Sequence, residues 1–219
     1  MNILVACEEC QRVCQAFRDK GHNAFSCDII EPSGNKPEWH IKADVLPLIN
    51  GKCVFTTMDG KQHEIKEKWD MIIAFPPCIY LTTAGACRLY PQKGVLNQER
   101  YEQGKQAAEF FMSFYNADCE KIVIENPTPL KIYNLPKYNQ VIEPYMFGEP
   151  YKKRTCLWIK GVEQLKPTNI IKDGITSWVN AGTKNSKGEK RQNIGIKSSS
   201  KDRSKTFKGI AAAMAAQWG

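Results

Sequence analysis

A cysteine placed directly after two prolines, Pro76-Pro77-Cys78, ends the apolar run from Trp69 to Phe75. Proline fixes φ, so the thiol would sit on a stiff turn at a strand end with its sulfur aimed into a cleft. That placement suits a nucleophile. A second apolar run, Lys121 to Glu125, is stopped by Asn126-Pro127. A half-buried glutamate at the end of a neighbouring strand faces the same cleft, where desolvation raises its pKa enough to let it donate a proton near neutrality. Two other segments end on acids, Asp28 and Asp44. Carboxylates there can accept hydrogen bonds from hydroxyls or amines. Each feature alone also has a plainer reading: Cys78 as a small buried hydrophobe, Glu125 as the cap of the following loop.

Such residues meet only if the elements that carry them run in the same direction. Asn2 to Cys7 is apolar, and Gln11 to Lys20 places Val13, Cys14 and Phe17 at helical spacing before Gly21-His22. Ala24 to Ile29 is a second short strand ending on Asp28, and Ile41 to Val45 ends a third segment around Asp44. Cys53 to Ile65 carries an Asp59-Gly60 turn between alternating segments, which predicts a β-hairpin inserted over residues 51–68. Asn97 to Tyr115 predicts a long helix with Ala107, Ala108, Phe110, Phe111 and Phe114 on its buried side. Thr155 to Ile159 predicts a further strand. Strands alternating with helices predict a single domain over residues 1–219, of the α/β class with a doubly wound, mostly parallel sheet. In such a sheet ligands lie at the carboxyl ends of the strands, where Asp28, Asp44, Cys78 and Glu125 fall. After Gly161 the sequence turns polar. Residues 180–202 read as a long loop, and Ser204 to Gly219 as an alanine-rich helix with Ile210, Met214 and Trp218 on one face.

The 219 residues are 42% hydrophobic and 25% charged, enough for one core that needs neither disulfides nor a structural metal. Nine cysteines are scattered, several inside apolar runs, as reduced cytosolic thiols are. Cys7, Cys10 and Cys14 suggest a metal cluster, yet a second pair is missing and His22, His40 and His63 are isolated, so no metal is expected. The apolar stretches fall far short of the roughly 18 residues of a membrane span, and Met1-Asn2 runs straight into a strand without a signal peptide. A cytoplasmic protein is expected, with no membrane partner. The net charge of +8 is uneven: from Tyr151 onward 15 Lys+Arg stand against 4 Asp+Glu, a balance of +11, which leaves −3 for residues 1–150. That asymmetry fits a polyanionic partner. A well-solvated lysine-rich surface is the alternative.

Together these residues carry a resemblance. Cys78 is followed by Leu81, Thr82, Ala84 and Gly85, Glu125-Asn126 closes the strand IVIEN, and Lys152-Lys153-Arg154 opens the strand TCLWI. In order and spacing, from Asn2 to Ile159, this resembles the DNA cytosine-5 methyltransferases: a Pro-Pro-Cys loop, a strand ending Glu-Asn, then a basic strand with two cations two apart. The resemblance implies a Rossmann-like S-adenosylmethionine-dependent methyltransferase fold. It implies that Cys78 is the thiolate that adds to carbon 6 of cytosine, that Glu125 binds or protonates the ring nitrogen and amine, and that Arg154 binds the carbonyl oxygen and helps hold the thiolate ionised while Asn126 orients the loop and the base. Base flipping follows, because carbon 5 is inaccessible inside a duplex. The loop from Ile79 to Gly94 is then the lid, with Thr82, Thr83 and Lys152 on the nucleic acid.

For the cofactor, S-adenosylmethionine, the resemblance places the methionine part near Ala6, Cys7 and Glu8 and the ribose on Asp28 beside Ile29. It places the adenine amine near Asp44 and lets Pro76 complete the pocket. Two departures stand out. The family's first loop is glycine-rich, whereas this one reads Ala6-Cys7-Glu8-Glu9-Cys10-Gln11, and Glu8 and Glu9 also fit solvated helix-start residues. The target-recognition region is reduced to residues 160–204, lysine- and glycine-rich, so Lys187, Lys190 and Arg191 are expected on phosphates with DNA of low or short sequence specificity. Compact relatives of this type occur in bacteriophage and prophage genomes, and the chain looks like one of them. RNA or a free nucleotide as substrate for the same chemistry, and a non-catalytic nucleic-acid-binding protein on the same fold, remain as alternatives, as does any oligomeric state.

Overall fold

The computed structural model describes residues 1–178, Ile196 and 199–219. Its first half runs β1 (Asn2–Ala6), α1 (Arg12–Arg18), β2 (Asn23–Asp28), β3 (His40–Lys42), β4 (Cys53–Thr56), β5 (Gln62–Ile65) and β6 (Met71–Ala74). The second half runs α2 (Ala86–Leu89), α3 (Gln98–Tyr115), β7 (Ile122–Asn126), β8 (Gln140–Ile142), β9 (Tyr151–Lys152), β10 (Thr155–Lys160), β11 (Thr176–Ser177), α4 (Ser200–Ser204) and α5 (Lys208–Trp218). Seven strands form one sheet in the order β3-β2-β1-β6-β7-β10-β8. The first five are mutually parallel, while β10 is antiparallel to both β7 and β8. This is the doubly wound, mostly parallel α/β sheet that the strand-helix alternation predicts, in the Rossmann-like form that the resemblance implies.

Both faces of the sheet are covered, which is why its strands read as continuous apolar runs and not as alternating ones. Ile3, Val5, Met71, Ile73 and Val123 pack with α1 and α5. Leu4, Ala6, Ile72, Ala74, Ile122 and Ile124 point the other way, onto Ala108, Phe111 and Phe114 of α3. Asn97 starts α3 by accepting the Arg100 amide at 3.0 Å on its side chain. An 11-residue helix such as α5 is marginal in isolation. Its stripe of Ile210, Met214 and Trp218, all 5% exposed or less, supplies what propensity does not: roughly 1.5–3 kcal/mol per large apolar side chain buried.

Three features depart from the expected elements. The terminal helix expected from Ser204 is interrupted, because Lys205 and Phe207 are extended and α5 starts only at Lys208. Gly209 at its beginning lies so close to the Phe147 carbonyl that a Cβ would sit 1.9 Å from the oxygen. The stretch expected as loop up to Asp202 already holds α4, whose start is capped by Ser199 accepting the Asp202 amide at 3.0 Å. Strand β8 has three residues and no pattern that announces it. The pair β4–β5 forms an antiparallel hairpin around Asp59-Gly60, packed on the sheet through Phe55 and Ile65. Lys187, Lys190 and Arg191 lie outside the described residues. Among the described residues, no helix is long and apolar enough to cross a membrane.

Candidate active site

Neighbouring strands β1 and β6 send their connections in opposite directions, β1 towards β2 and β6 towards β7, and this divergence opens a crevice at their carboxyl ends. Cys7 leaves β1 there, and Phe75-Pro76-Pro77-Cys78 leaves β6. Glu125 and Pro127 come from the end of β7. Because β10 runs the other way, its beginning reaches the same edge, which brings in Lys152, Lys153 and Arg154. Together these residues line a cleft of about 540 Å³, with Thr82, Ala84, Glu143, Ser177, Arg203 and Ser204 completing the lining. The structure thus brings Cys78, Glu125, Arg154, Lys152, Thr82, Pro76 and Cys7 to one place.

Cys78 is open to solvent in the cleft, but the walls crowd its sulfur. Burial first, and then the Glu125 carboxylate, raise the thiol pKa; the Lys153 ammonium opposes them. Glu125 is raised as well, by burial, against the pull of Lys153 and a hydrogen bond from Thr155. The pair therefore favours a protonated thiol and a carboxyl able to carry a proton. Asn126 is fully buried, and its Nδ2 donates to the Pro76 carbonyl at 3.0 Å, so it fastens the end of β7 to the Pro-Pro turn. Its Oδ1 has no hydrogen-bond partner among the described residues.

The expected lid is anchored at its root. Leu130 donates its amide to the Leu81 carbonyl at 2.7 Å, and Thr83 donates to Thr128 at 3.1 Å. Arg100 holds the Ile79 carbonyl at 2.7 Å and lies 4.9 Å from the centre of the Tyr80 ring. Thr82 is buried by these ties while Thr83 is exposed. Arg154 stands on the outer lip, donating to Thr128 Oγ1 and Tyr138 Oη at 3.3 Å each, and Lys152 is exposed beside it. The inward-facing cation is Lys153, which the sequence pattern does not single out: it acts on both Cys78 and Glu125, and its Nζ donates to the Arg203 carbonyl at 2.8 Å.

Beyond Cys7, the first loop is built without glycine. Cys7 and Gln11 take left-handed backbone angles, φ 57° and 56°, which cost a non-glycine residue roughly 1–2 kcal/mol each. Hydrogen bonds hold Gln11: its side chain donates to the Lys36 carbonyl at 2.8 Å and accepts the Lys36 amide at 3.0 Å. Glu8 is buried, and its carboxylate accepts the amides of Val13 at 2.6 Å and Cys14 at 3.1 Å. It caps α1, and burial pushes its pKa up to about 7 despite those bonds. Glu9 is buried too, accepting the Ser33 amide at 3.2 Å, so neither acid is a solvated helix-start residue.

The other cofactor candidates cluster around the ends of β2 and β3. Asp28 is half-buried and accepts the Ile30 amide at 3.2 Å; burial raises its pKa while the amides of Ile30 and Ile29 oppose. Ile29 beside it is 73% exposed, an apolar surface that nothing in the described chain covers. Asp44 is exposed and accepts the Leu46 amide at 3.0 Å. Ala6 pairs with Cys27 and Asp28 with Lys42, so the three strand ends are adjacent, and burial, then Asp28, and more weakly Asp44, raise the Cys7 thiol. Below the Asp28 turn, buried His40 bonds Ser26 Oγ and the Ile30 carbonyl at 2.9 Å each. Sequence inspection treats it only as an isolated histidine.

No family model matches the chain, and no curated protein matches it. Solved structures do. The chain is similar to a protein described as a DNA modification methyltransferase encoded within a prophage of E. coli, at 13% identity and a TM-score of 0.44, over 78% of this chain and 52% of that one. It is similar to the Entamoeba histolytica methyltransferase EhMeth at 14% identity and 0.43, over 78% and 57%. It is similar to the S. pombe Dnmt2 methyltransferase at 14% identity and 0.38, over 75% and 51%. The chain spans about half the length of the structures it matches.

Proposed function

We propose that this chain is an S-adenosylmethionine-dependent methyltransferase that modifies carbon 5 of a flipped-out cytosine in DNA. The observation that carries the reading is the convergence of Cys78, Glu125 and the Lys152–Arg154 run in one cleft at the carboxyl ends of the parallel strands. For the cofactor, the donor set fits. Asp28 and Asp44 offer carboxylates for ribose hydroxyls and an amine, and exposed Ile29 offers an apolar face for a ring. Bound S-adenosylmethionine would supply an electrophilic methyl group.

The chain's residues do the rest. Cys78, once ionised, bonds through Sγ to carbon 6, which turns carbon 5 into an enamine carbon able to take the methyl group. Glu125, held in its protonated form by burial, gives its proton to the ring nitrogen as negative charge develops. Arg154 offers donors to the carbonyl oxygen at the lip of the cleft. Asn126 keeps the Pro-Pro turn, and so the sulfur, at a fixed height. A solvent base then takes the proton from carbon 5, the electron pair expels the thiolate, and Glu125 takes back the proton from the ring nitrogen, which restores the ring. The +11 charge of residues 151–219 supports a nucleic acid over a free nucleotide as substrate, because it suits phosphate contacts.

Incubation with S-adenosylmethionine and oligonucleotides containing 5-fluorocytosine tests this, because fluorine cannot leave as a proton does. A covalent adduct on the Cys78 peptide is expected by mass spectrometry. An adduct that survives Cys78→Ser, or none on any DNA, removes the assignment; an adduct only on RNA moves the substrate.

A further inference from the structure

Cys78 sits in an unfavourable place for a nucleophile. Crowding and a neighbouring carboxylate both oppose its ionisation, and a cleft that needs a thiolate must hold a positive charge close to it. All three cations of Lys152-Lys153-Arg154 border the cleft, but Lys152 is exposed and Arg154 is tied to Thr128 and Tyr138 on the lip. Lys153 alone of the three lines both the cleft and the smaller cavity behind it, where Glu125, Phe75 and Thr155 meet the start of α5. Its position is fixed at two points. The ammonium donates to the Arg203 carbonyl at 2.8 Å and lies 5.9 Å from the centre of the Phe207 ring.

We infer that Lys153 is a positioning residue of the reaction, the charge that holds the Cys78 thiolate against the Glu125 carboxylate, while Arg154 serves the substrate side of the lip. The inference rests on the reading of Cys78 as nucleophile. It follows from placement: all three cations border the cleft, and Lys153 alone of them also lines the cavity beside Glu125. Lys153 also links the cleft to residues 199–207, because the carbonyl it holds belongs to α4.

The test is alkylation of Cys78 by iodoacetamide on the full chain, without cofactor or nucleic acid, followed by peptide mass spectrometry from about pH 6 to pH 10. Exposed Cys87 is the internal reference. Lys153→Met is expected to slow Cys78 about tenfold near neutral pH, as a midpoint moved up about one pH unit requires, with the gap narrowing only towards the alkaline end of the scan. Lys153→Arg should restore the midpoint, and Arg154→Met should leave it in place. If the methionine variant does not fold, Lys153→Gln replaces it, retaining most of the stem over Phe207. An unmoved midpoint in the Lys153 variants, or a larger movement in Arg154→Met, overturns the inference. Failure of 5-fluorocytosine trapping with the Lys153 shift intact would discard methyl transfer and leave the Lys153–Cys78 coupling standing. Trapping without the shift would discard Lys153 alone.

Discussion

Glu8 gives the sharpest expectation, because its environment is closed and its partners are known. The carboxyl is 3% exposed, faces the amides of Val13 and Cys14, and has a pKa pushed from the ordinary 4.5 up to about 7. Folded chain therefore binds this proton more tightly than unfolded chain does. The associated stability is complete below about pH 4.5 and is lost as pH rises through about 7. At about 1.4 kcal/mol per tenfold change in proton affinity, the gap amounts to about 3 kcal/mol. Glu8→Gln cannot ionise and keeps one acceptor oxygen for the start of α1. Urea unfolding followed by tryptophan fluorescence at pH 5 and pH 8 should show the parent chain losing about 2–3 kcal/mol relative to Glu8→Gln over that interval. A difference between the two proteins that is the same at both pH values would refute the reasoning. If Glu8→Gln instead weakens cofactor binding with no pH-dependent change in stability, the carboxylate faces the ligand and not the helix.

Asp28→Ala should weaken S-adenosylmethionine binding by about 1 kcal/mol or more in calorimetry, the scale of a charge-assisted hydrogen bond, and a chain that ignores the cofactor at millimolar concentration would favour the non-catalytic reading. Neutralising Lys187, Lys190 and Arg191 together should lower DNA affinity alike on all sequences and reduce the slope of log affinity against log salt by roughly 2 to 3; a change in which cytosines are modified, read by bisulfite sequencing, would mean that the segment reads bases.

Much of the frame is legible because its strands are buried on both faces. Runs such as ILVA at 3–6 and IVIE at 122–125 announce themselves. Direction is not written in such a run: nothing in TCLWI says that β10 is antiparallel, yet this reversal is what delivers the basic residues to the cleft. Length hides β8, since three residues give periodicity no purchase. The terminal helix reads as continuous because Lys205-Thr206-Phe207 contains no breaker; the interruption comes from packing, with Phe207 buried beside Tyr151 and Trp178. In the site, the strand-end residues can be named from sequence because the sheet fixes where they emerge. The burial of Glu8 and Glu9 cannot, since an acid before a helix looks the same whether it faces water or caps the amides. The difference lies in the 31–36 segment folding over the loop, a contact distant in sequence.

The way β10 enters the sheet also bears on how such a chain can change over generations. Its ladder to β7 begins at Cys156 and its ladder to β8 at Thr155, so the cations at 153 and 154 precede the paired residues. Core packing constrains Cys156, Leu157 and Trp158, all fully or almost fully buried, and leaves the preceding pair outside that constraint. Charge, length and hydrogen-bonding capacity at the cleft can therefore drift by single substitutions without disturbing sheet register. A descendant could acquire a different nucleic acid or nucleotide as substrate while the scaffold stays unaltered, because the strand keeps its architectural and its chemical duties on separate, consecutive stretches.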